Sequence, residues 1–268
     1  MTTVAVLGAG KIGQTVLTGL LKSGWDPAEL IATVRRPERA AELRAALDIR
    51  MLDTAEAVRS AEIVLVAVKP QDAGALMSEL EATLPADRLL VSLCAGLPTE
   101  FFNRRLDAAN PVVRAMTNTP ALVDQAVTAL SAGEHAADEH LAAAERLFKP
   151  LGITLRMPEA HQDAVTALSG SGPAYFYYMV EAMTDAAILM GLPRGVAHDL
   201  IVQTAVGAAS MLRDTGDHPV KLRETVTSPA GTTINAVREL ERHRVRTAVA
   251  DAVEAARDRA REIAGELG

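Results

Sequence analysis

The sequence of 268 residues has one cysteine, Cys94, and only 3% of its residues are aromatic. A single cysteine forms no internal disulfide and supplies no cysteine-rich metal site, so we expect a reducing compartment, with the cytoplasm as the location. Positive charge is also scarce, because 27 Lys and Arg stand against 34 Asp and Glu, a formal net charge of −7. With few aromatic rings for base stacking, this charge balance excludes a typical nucleic-acid-binding protein.

Long apolar runs and metal-ligand patterns are missing as well. The longest charge-free run, residues 164–180, is interrupted by Ser-Gly-Ser-Gly-Pro at 169–173 and falls short of the ~20 apolar residues of a membrane span. The N-terminus leads directly into an apolar strand without the basic region of a signal peptide. We therefore expect no membrane segment.

The six histidines show no metal-binding spacing, and the motifs of serine hydrolases, P-loop kinases and zinc proteases do not occur.

What the sequence does contain falls into two halves with different periodicity. Residues 1–158 alternate short β-branched runs with amphipathic segments, which predicts an α/β domain with a doubly wound, mostly parallel sheet. Strands are predicted at 4–7, 30–34, 63–68, 89–93, 112–115, 126–130 and 153–155, with a weak one near 49–52, and helices at 12–23, 37–46 and 73–84. Residues 159–268 are predicted to be all-α, with helices at 173–190, 194–213, 232–242 and 244–267. Small residues at 207–210 favour close packing against another subunit, so we expect a homo-oligomer.

A glycine motif follows the first predicted strand. Residues 8–13 read Gly-Ala-Gly-Lys-Ile-Gly, which matches G-x-G-x-x-G between a strand and a helix. Gly8 permits the tight turn, Gly10 lets the backbone approach a pyrophosphate, and Gly13 lets the helix lie close to the strand. An ordinary glycine-rich turn is the alternative, but the flanking elements favour a Rossmann-type dinucleotide-binding domain.

The end of the second predicted strand indicates which dinucleotide binds. NAD-selective sites carry Asp or Glu there, whereas this strand is followed by Arg35 and Arg36. Guanidinium groups form charge-assisted, bidentate hydrogen bonds with a 2′-phosphate, so we expect NADPH as cofactor and NADH at lower affinity. The alternative is that Arg35, Arg36 and Arg39 form a solvated helix start.

Two more strand ends lie at the carboxyl edge of the predicted sheet, where open α/β sheets bind ligands. Residues 67–70 (Ala-Val-Lys-Pro) end one strand and residues 93–96 end the next, so we expect backbone contacts to ribose and nicotinamide. For Lys69, a role in the turn itself is an equal alternative. Cys94 has no cationic partner beside it to stabilise a thiolate, so we assign it no chemistry.

A second candidate site precedes the predicted helix at 232–242. Residues 228–234 read Ser-Pro-Ala-Gly-Thr-Thr-Ile, so hydroxyl and backbone N–H groups gather at a helix N-terminus, which attracts anions. No acidic side chain occupies those amides, which suits a small substrate carboxylate, but N-capping by Ser228 or Thr232 explains the pattern equally well. Residues 169–175 open another helix with two glycines and two hydroxyls, and there we favour simple packing.

Five segments together resemble the pyrroline-5-carboxylate reductase family: 8–10, 67–70, 116–120, 168–175 and 228–235. The most specific are 227–234 and 168–175, and the resemblance covers nearly the whole chain. It implies NAD(P)H-dependent reduction of Δ1-pyrroline-5-carboxylate to L-proline, the last step of proline biosynthesis. It also implies a helical dimerisation domain, an obligate homodimer and, in some members, a decamer.

The resemblance also implies roles for individual residues, with Thr233 the hydroxyl nearest the imine nitrogen. The substrate would be held by Ser228, Gly231, Thr232, Thr233 and Glu159. Together with the glycine motif and the strand ends, the predicted cofactor contacts are Gly8, Ala9, Gly10, Lys11, Ile12, Gly13, Arg35, Arg36, Pro37, Thr54, Ala67, Val68, Lys69, Pro70, Ala95 and Thr225. The sequence departs from the family at Thr54, where many members have Asn, and at Ala230, where Gly is frequent.

Reduction of an iminium needs neither a metal nor a strong general acid, so Thr233 is assigned hydrogen bonding and orientation rather than full proton donation. One alternative is a β-hydroxyacid dehydrogenase, which would require a catalytic lysine in the helical half, where Lys221 is the only lysine. A non-catalytic NADP-binding regulatory protein is the other, and the intact segment 228–233 argues against it.

Overall fold

The computed structural model describes residues 2–106 and 109–267 and divides the chain into two compact units. The first unit contains residues 1–171 and 255–268, and the second contains residues 172–254. The first unit therefore continues past residue 158, where the sequence analysis places the domain division, and that division stays a prediction.

Eight strands of the described residues form one sheet in the first unit. They are β1 (Val4–Leu7), β2 (Leu30–Thr33), β3 (Arg50–Met51), β4 (Ile63–Val66), β5 (Leu89–Ser92), β6 (Val112–Met116), β7 (Ala126–Ala132) and β8 (Gly152–Arg156). The strand order is β3-β2-β1-β4-β5-β6-β7-β8, and every neighbouring pair is parallel except β6 and β7. This confirms the doubly wound, mostly parallel sheet.

The helices of the first unit cover both faces of this sheet. They are α1 (Lys11–Lys22), α2 (Pro37–Leu47), α3 (Thr54–Ser60), α4 (Pro70–Glu81), α5 (Thr99–Asn103), α6 (Asp138–Phe148) and α7 (Gln162–Val165). Alternate β1 residues point to opposite faces. Val6 packs in a core with Leu20 and Phe148, while Leu7 packs in a second core with Met77. Because β1 is buried on both faces, its sequence is an unbroken apolar run.

The element ends differ from the predicted ones by a few residues, for local reasons. The helix predicted at 73–84 begins at Pro70 and ends at Glu81. Proline is favoured at the first helical position, where no N–H donor is needed, and this starts the helix earlier than its apolar periodicity indicates. The strand predicted at 63–68 ends at Val66, because the chain turns there into α4. The weak strand near 49–52 is confirmed as the two-residue β3.

The second unit and the segment that follows it are helical, as predicted. Their helices are α8 (Gly172–Leu189), α9 (Arg194–Thr215), α10 (Pro219–Thr225), α11 (Thr232–Arg242) and α12 (Val245–Leu267). Gly191 has a φ of +90° between α8 and α9, and Pro193 is the N-cap of α9, so one helix ends and the next begins between the predicted segments 173–190 and 194–213. Among the described residues, no helix has the length and apolar character that crossing a bilayer requires.

Candidate functional site

The glycine turn between β1 and α1 lies at the switch point of the sheet, where β1 separates β2 from β4. Gly8 has a φ of +82°, and a Cβ there would lie 2.5 Å from Cγ1 of Val68. At Gly13 a Cβ would lie 3.0 Å from Cγ1 of Val6 and 3.4 Å from Cβ of Ala67. Gly8 thus allows the turn and Gly13 the close approach of the helix, and both belong to one packed cluster with residues 67 and 68.

The N-terminus of α1 is open to an anion. Gly10 is the N-cap, no side chain caps the helix, and its first turn contains no acidic residue. Gly10 and Lys11 are exposed, whereas Ala9 is buried and Ile12 is half-buried. Unpaired first-turn amides and the positive end of the helix dipole favour a pyrophosphate at this place.

The three arginines after β2 have different surroundings. Nη1 of Arg35 lies 3.1 Å from Oδ1 of Asp72, in the first turn of α4. Arg36 is exposed and is the N-cap of α2, which Pro37 begins. Arg39 instead donates to Gln14 and Glu42 of its own unit. Arg35 and Arg36 are therefore the cations at the β2 end that face solvent.

The ends of β4 and β5 bring the remaining cofactor candidates of this unit together. Lys69 is exposed and is the N-cap of α4, which Pro70 begins, and Ala95 is exposed in the loop after β5. Between them the Cys94 thiol donates to the Val68 carbonyl at 3.5 Å. Burial raises the pKa of the Cys94 thiol to about 11, which agrees with assigning this side chain no chemistry.

Thr54 is the first residue of α3 and is half-buried. Asp53 precedes it as the N-cap, and its carboxylate accepts from the amide of Glu56. This start of α3 follows β3, at the same edge of the sheet as the glycine turn.

The second unit holds the segment predicted to bind the substrate. Gly231, not Ser228 or Thr232, is the N-cap of α11, and no side chain caps this helix. The alternative of simple N-capping by a hydroxyl is therefore wrong. No acidic side chain lies in the first turn, which contains Thr232 and Thr233, so its amides remain available to an anion.

The turn before α11 is tight. Ala230 has a φ of +57°, in the left-handed region that favours glycine. The Gly231 amide donates to the Ser228 carbonyl at 3.1 Å, and the Ser228 hydroxyl packs against the Gly231 Cα. Thr225 ends α10, and its hydroxyl donates to the Leu222 carbonyl at 2.7 Å.

The start of the segment 169–175 overlaps a feature that the sequence analysis does not predict. A π-helical turn, Thr166–Gly170, precedes α8, and the Ser171 amide donates to the Thr166 carbonyl at 2.8 Å. A Cβ on Gly170 would lie 2.5 Å from Cε of Met116, and Nδ2 of Asn118 donates to the Ser169 carbonyl. The packing interpretation is confirmed, and we know of no sequence signal that predicts the π turn.

Glu159 lies in the first unit, whereas Ser228 and Thr233 lie in the second. The Glu159 carboxylate accepts hydrogen bonds from the amide and the hydroxyl of Thr99, at 2.7 and 2.6 Å, and lies 3.5 Å from Arg114. A substrate contact for Glu159 stays a prediction. Arg114 was missed, although a lone charge inside the apolar strand Val-Val-Arg-Ala-Met is a visible signal.

No group of three or more His, Cys, Asp or Glu side chains in the described ranges is placed to hold a metal ion. Lys221, the lysine that a β-hydroxyacid dehydrogenase would need, is exposed and paired with Asp217 at 2.7 Å.

Comparisons with known proteins cover both halves of the chain. The pyrroline-5-carboxylate reductase dimerisation model matches residues 159–263, and the model described as NADP oxidoreductase, coenzyme F420-dependent, matches residues 3–96. The pyrroline-5-carboxylate reductase of Mycobacterium tuberculosis H37Rv is 40% identical over 98% of this chain and 97% of that protein. The Arabidopsis thaliana enzyme of the same name is 37% identical, over 97% of this chain and 95% of that one.

Solved structures give the same result. A pyrroline-5-carboxylate reductase from Coxiella burnetii superposes with a TM-score of 0.91 at 32% identity and covers 98% of each chain. Plasmodium falciparum pyrroline carboxylate reductase, solved with NADP bound, superposes with a TM-score of 0.89 at 25% identity, again over 98% of each chain.

Proposed function

Because the chain belongs to the pyrroline-5-carboxylate reductase family, we propose that its two candidate segments divide the reaction between cofactor binding and substrate binding. The chain is an NAD(P)H-dependent oxidoreductase that reduces the C=N bond of Δ1-pyrroline-5-carboxylate. The product is L-proline, and the reaction is the last step of proline biosynthesis.

The glycine turn and the strand ends of the first unit hold the cofactor. The uncapped start of α1, with its exposed Gly10 and Lys11, supports a pyrophosphate site that also includes Ala9 and Ile12. Arg35 and Arg36 bind the 2′-phosphate of NADPH, which makes NADPH the preferred cofactor, and Pro37 and Thr54 contact the adenosine. Residues 67–70 and Ala95 contact the ribose and the nicotinamide, and Thr225 is the remaining residue that we assign to the cofactor.

The start of α11 binds the substrate. Its uncapped amides, together with the hydroxyls of Ser228 and Thr232, bind the carboxylate of the cyclic imine. This uncapped N-terminus is the observation that carries the proposal, because hydroxyl-rich helix starts normally use a side chain as their own cap.

Thr233 orients the imine. NAD(P)H supplies the hydride when it is bound. The Thr233 hydroxyl hydrogen-bonds the imine nitrogen, and since a threonine hydroxyl is a poor acid near neutral pH, it orients that atom rather than protonating it. When the carboxylate and the imine nitrogen of one small ring are both held, the imine carbon has a single orientation. This positioning is the main contribution that the site makes to the rate.

Exposed apolar side chains of the second unit agree with a homo-oligomer, which the dimerisation family model also indicates. Phe176, Tyr178, Leu189 and Met190 are between 71% and 89% exposed. Apolar surface of this extent marks a subunit interface. We propose a homodimer as the basic unit and a decamer as its further assembly. The cytoplasmic location expected from the single cysteine stays a prediction.

A substrate analogue tests the carboxylate site directly. 1-Pyrroline has the same ring and imine as the substrate but lacks the carboxylate. We expect its KM to exceed that of Δ1-pyrroline-5-carboxylate by at least about 100-fold, because charge-assisted hydrogen bonds are lost. In Ser228→Ala the KM rises for the carboxylate substrate and not for 1-pyrroline. Equal KM values for both imines in the wild type would contradict the site.

A further inference from the structure

A buried arginine lies in the sheet between two carboxylates. Arg114 of β6 is 7% exposed, and its Nη1 and Nη2 lie 3.5 Å from Glu159 and 3.4 Å from Asp163. Burying a guanidinium is costly unless it is paired, so this charge is held in place by its two partners.

Glu159 carries this network to the loop after β5, residues 93–98. Its carboxylate accepts from both the amide and the hydroxyl of Thr99, the first residue of α5. Thr99 directly follows the loop, and Ala95 lies within it. At the other end the Cys94 amide donates to the Ser92 hydroxyl at 3.2 Å. Both ends of the loop are therefore tied to the first unit by hydrogen bonds.

The end of α12 covers the same loop. Gly96 has a φ of +80°, and a Cβ there would lie 3.1 Å from Cγ2 of Ile263 and 3.6 Å from the Ala260 carbonyl. On the same helix Arg261 lies 3.8 Å from Oδ2 of Asp163, whose other oxygen faces Arg114. Asp163 thus joins the buried network to the helix that packs on the loop.

We propose that Thr99, Arg114, Glu159 and Asp163 form a positioning network which, with the end of α12, holds the 93–98 loop in the shape that receives the cofactor. This inference rests on the proposed function, in which Ala95 contacts the nicotinamide. It makes Glu159 a positioning residue that acts through Thr99, in place of the direct substrate contact that the family resemblance implies. When only a fraction of the molecules has the receptive loop, the apparent cofactor affinity falls to that fraction of its full value. The substrate segment at α11 is unaffected.

Thr99→Val tests the network, because it removes the hydroxyl bond to Glu159 and keeps the shape of the side chain. We expect NADPH to bind about 10-fold more weakly by calorimetric titration, from the loss of one hydrogen bond to a carboxylate. In the cofactor-free protein, the amides of residues 94–97 exchange with deuterium faster. The KM for the imine and the kcat at saturating NADPH stay within about two-fold, because the chemistry itself is untouched. Thr99→Ser, which keeps the hydroxyl, restores both the affinity and the exchange rates.

A matched control and a second variant complete the test. Thr83→Val removes the hydroxyl of a half-buried threonine of the same unit, which donates to the Glu79 carbonyl, and is expected to change neither readout. Ile263→Ala shortens the α12 side chain that packs on Gly96. We expect it to weaken NADPH binding and to speed exchange of the loop amides, as Thr99→Val does. Ile263→Ala therefore tests the network even if Thr99→Val does not fold. Wild-type affinity and exchange in both Thr99→Val and Ile263→Ala would overturn the network. Failure of the wild type to bind NADPH would instead overturn the proposed cofactor site.

Discussion

The guanidinium of Arg35 lies 3.1 Å from the carboxylate of Asp72, so the end of β2 is linked to the first turn of α4. Both side chains are partly exposed, so the pair adds little to stability. The ion pair instead orients Arg35 along the carboxyl edge of the sheet. Arg35 is one of the two arginines that we assign to the 2′-phosphate.

Replacing this arginine changes cofactor selectivity. In Arg35→Gln we expect the Kd for NADPH to rise about 10-fold or more, because a charge-assisted hydrogen bond to the phosphate is lost. The Kd for NADH, which has no 2′-phosphate, stays unchanged. Arg44→Gln, at an exposed position further along α2, is the control. A parallel loss of NADH affinity in Arg35→Gln would show that Arg35 serves the fold rather than the phosphate.

Ala230 carries backbone strain, because its φ of +57° is costly for any residue with a Cβ. We expect Ala230→Gly to raise the free energy of unfolding by about 1 kcal/mol, measured by urea denaturation. Ala236→Gly, the same change inside α11, is expected to lower it by about 1 kcal/mol. If both variants lose stability equally, the turn at residue 230 is not strained.

Cys94 is expected to resist alkylation. Its pKa of about 11 leaves about one thiolate in a thousand at pH 8, so native protein reacts with iodoacetamide about 100-fold more slowly than urea-unfolded protein. Because burial raises this pKa, the rate increases with pH up to about 11 rather than levelling off near 9. Mass spectrometry after timed quenching measures the difference. Equal rates in folded and unfolded protein would contradict the buried position.

Thr233 is expected to act on turnover rather than on folding. Thr233→Ala lowers kcat about 10- to 100-fold through loss of the oriented hydrogen bond, while Thr233→Ser keeps most of the activity. The thermal unfolding midpoint stays close to that of the wild type, because Thr233 caps no helix. A Thr233→Ala enzyme with wild-type kcat would refute the assigned role.

Most of the fold follows from local patterns in the sequence. The unbroken apolar runs at β1 and β4 and the glycine turn at residue 8 each have one physical explanation, namely strands buried on both faces and a backbone at positive φ. Helix starts follow less directly from the apolar periodicity, because Pro70 begins α4 three residues before that periodicity indicates. The π turn at 166–170 depends on packing between segments distant in sequence, such as Gly170 against Met116.

The candidate site was predictable to a different degree in its parts. The glycine motif and the hydroxyl segment before α11 are contiguous, so their residue types alone indicate anion binding. Contacts such as Arg35 with Asp72, or Glu159 with Thr99, join residues far apart in the chain and depend on the tertiary fold. The residue types before α11 suit N-capping by Ser228 or Thr232 as well as an anion site, and the N-cap at Gly231 becomes visible only in the structure.

The central claim is tested most directly by following oxidation of NADPH, and separately of NADH, with Δ1-pyrroline-5-carboxylate as the only acceptor and with proline identified as product. We expect rapid turnover, proline formed in equal amount to the cofactor oxidised, and a higher kcat/KM with NADPH than with NADH. Folded protein that binds NADPH yet forms no proline would contradict the account.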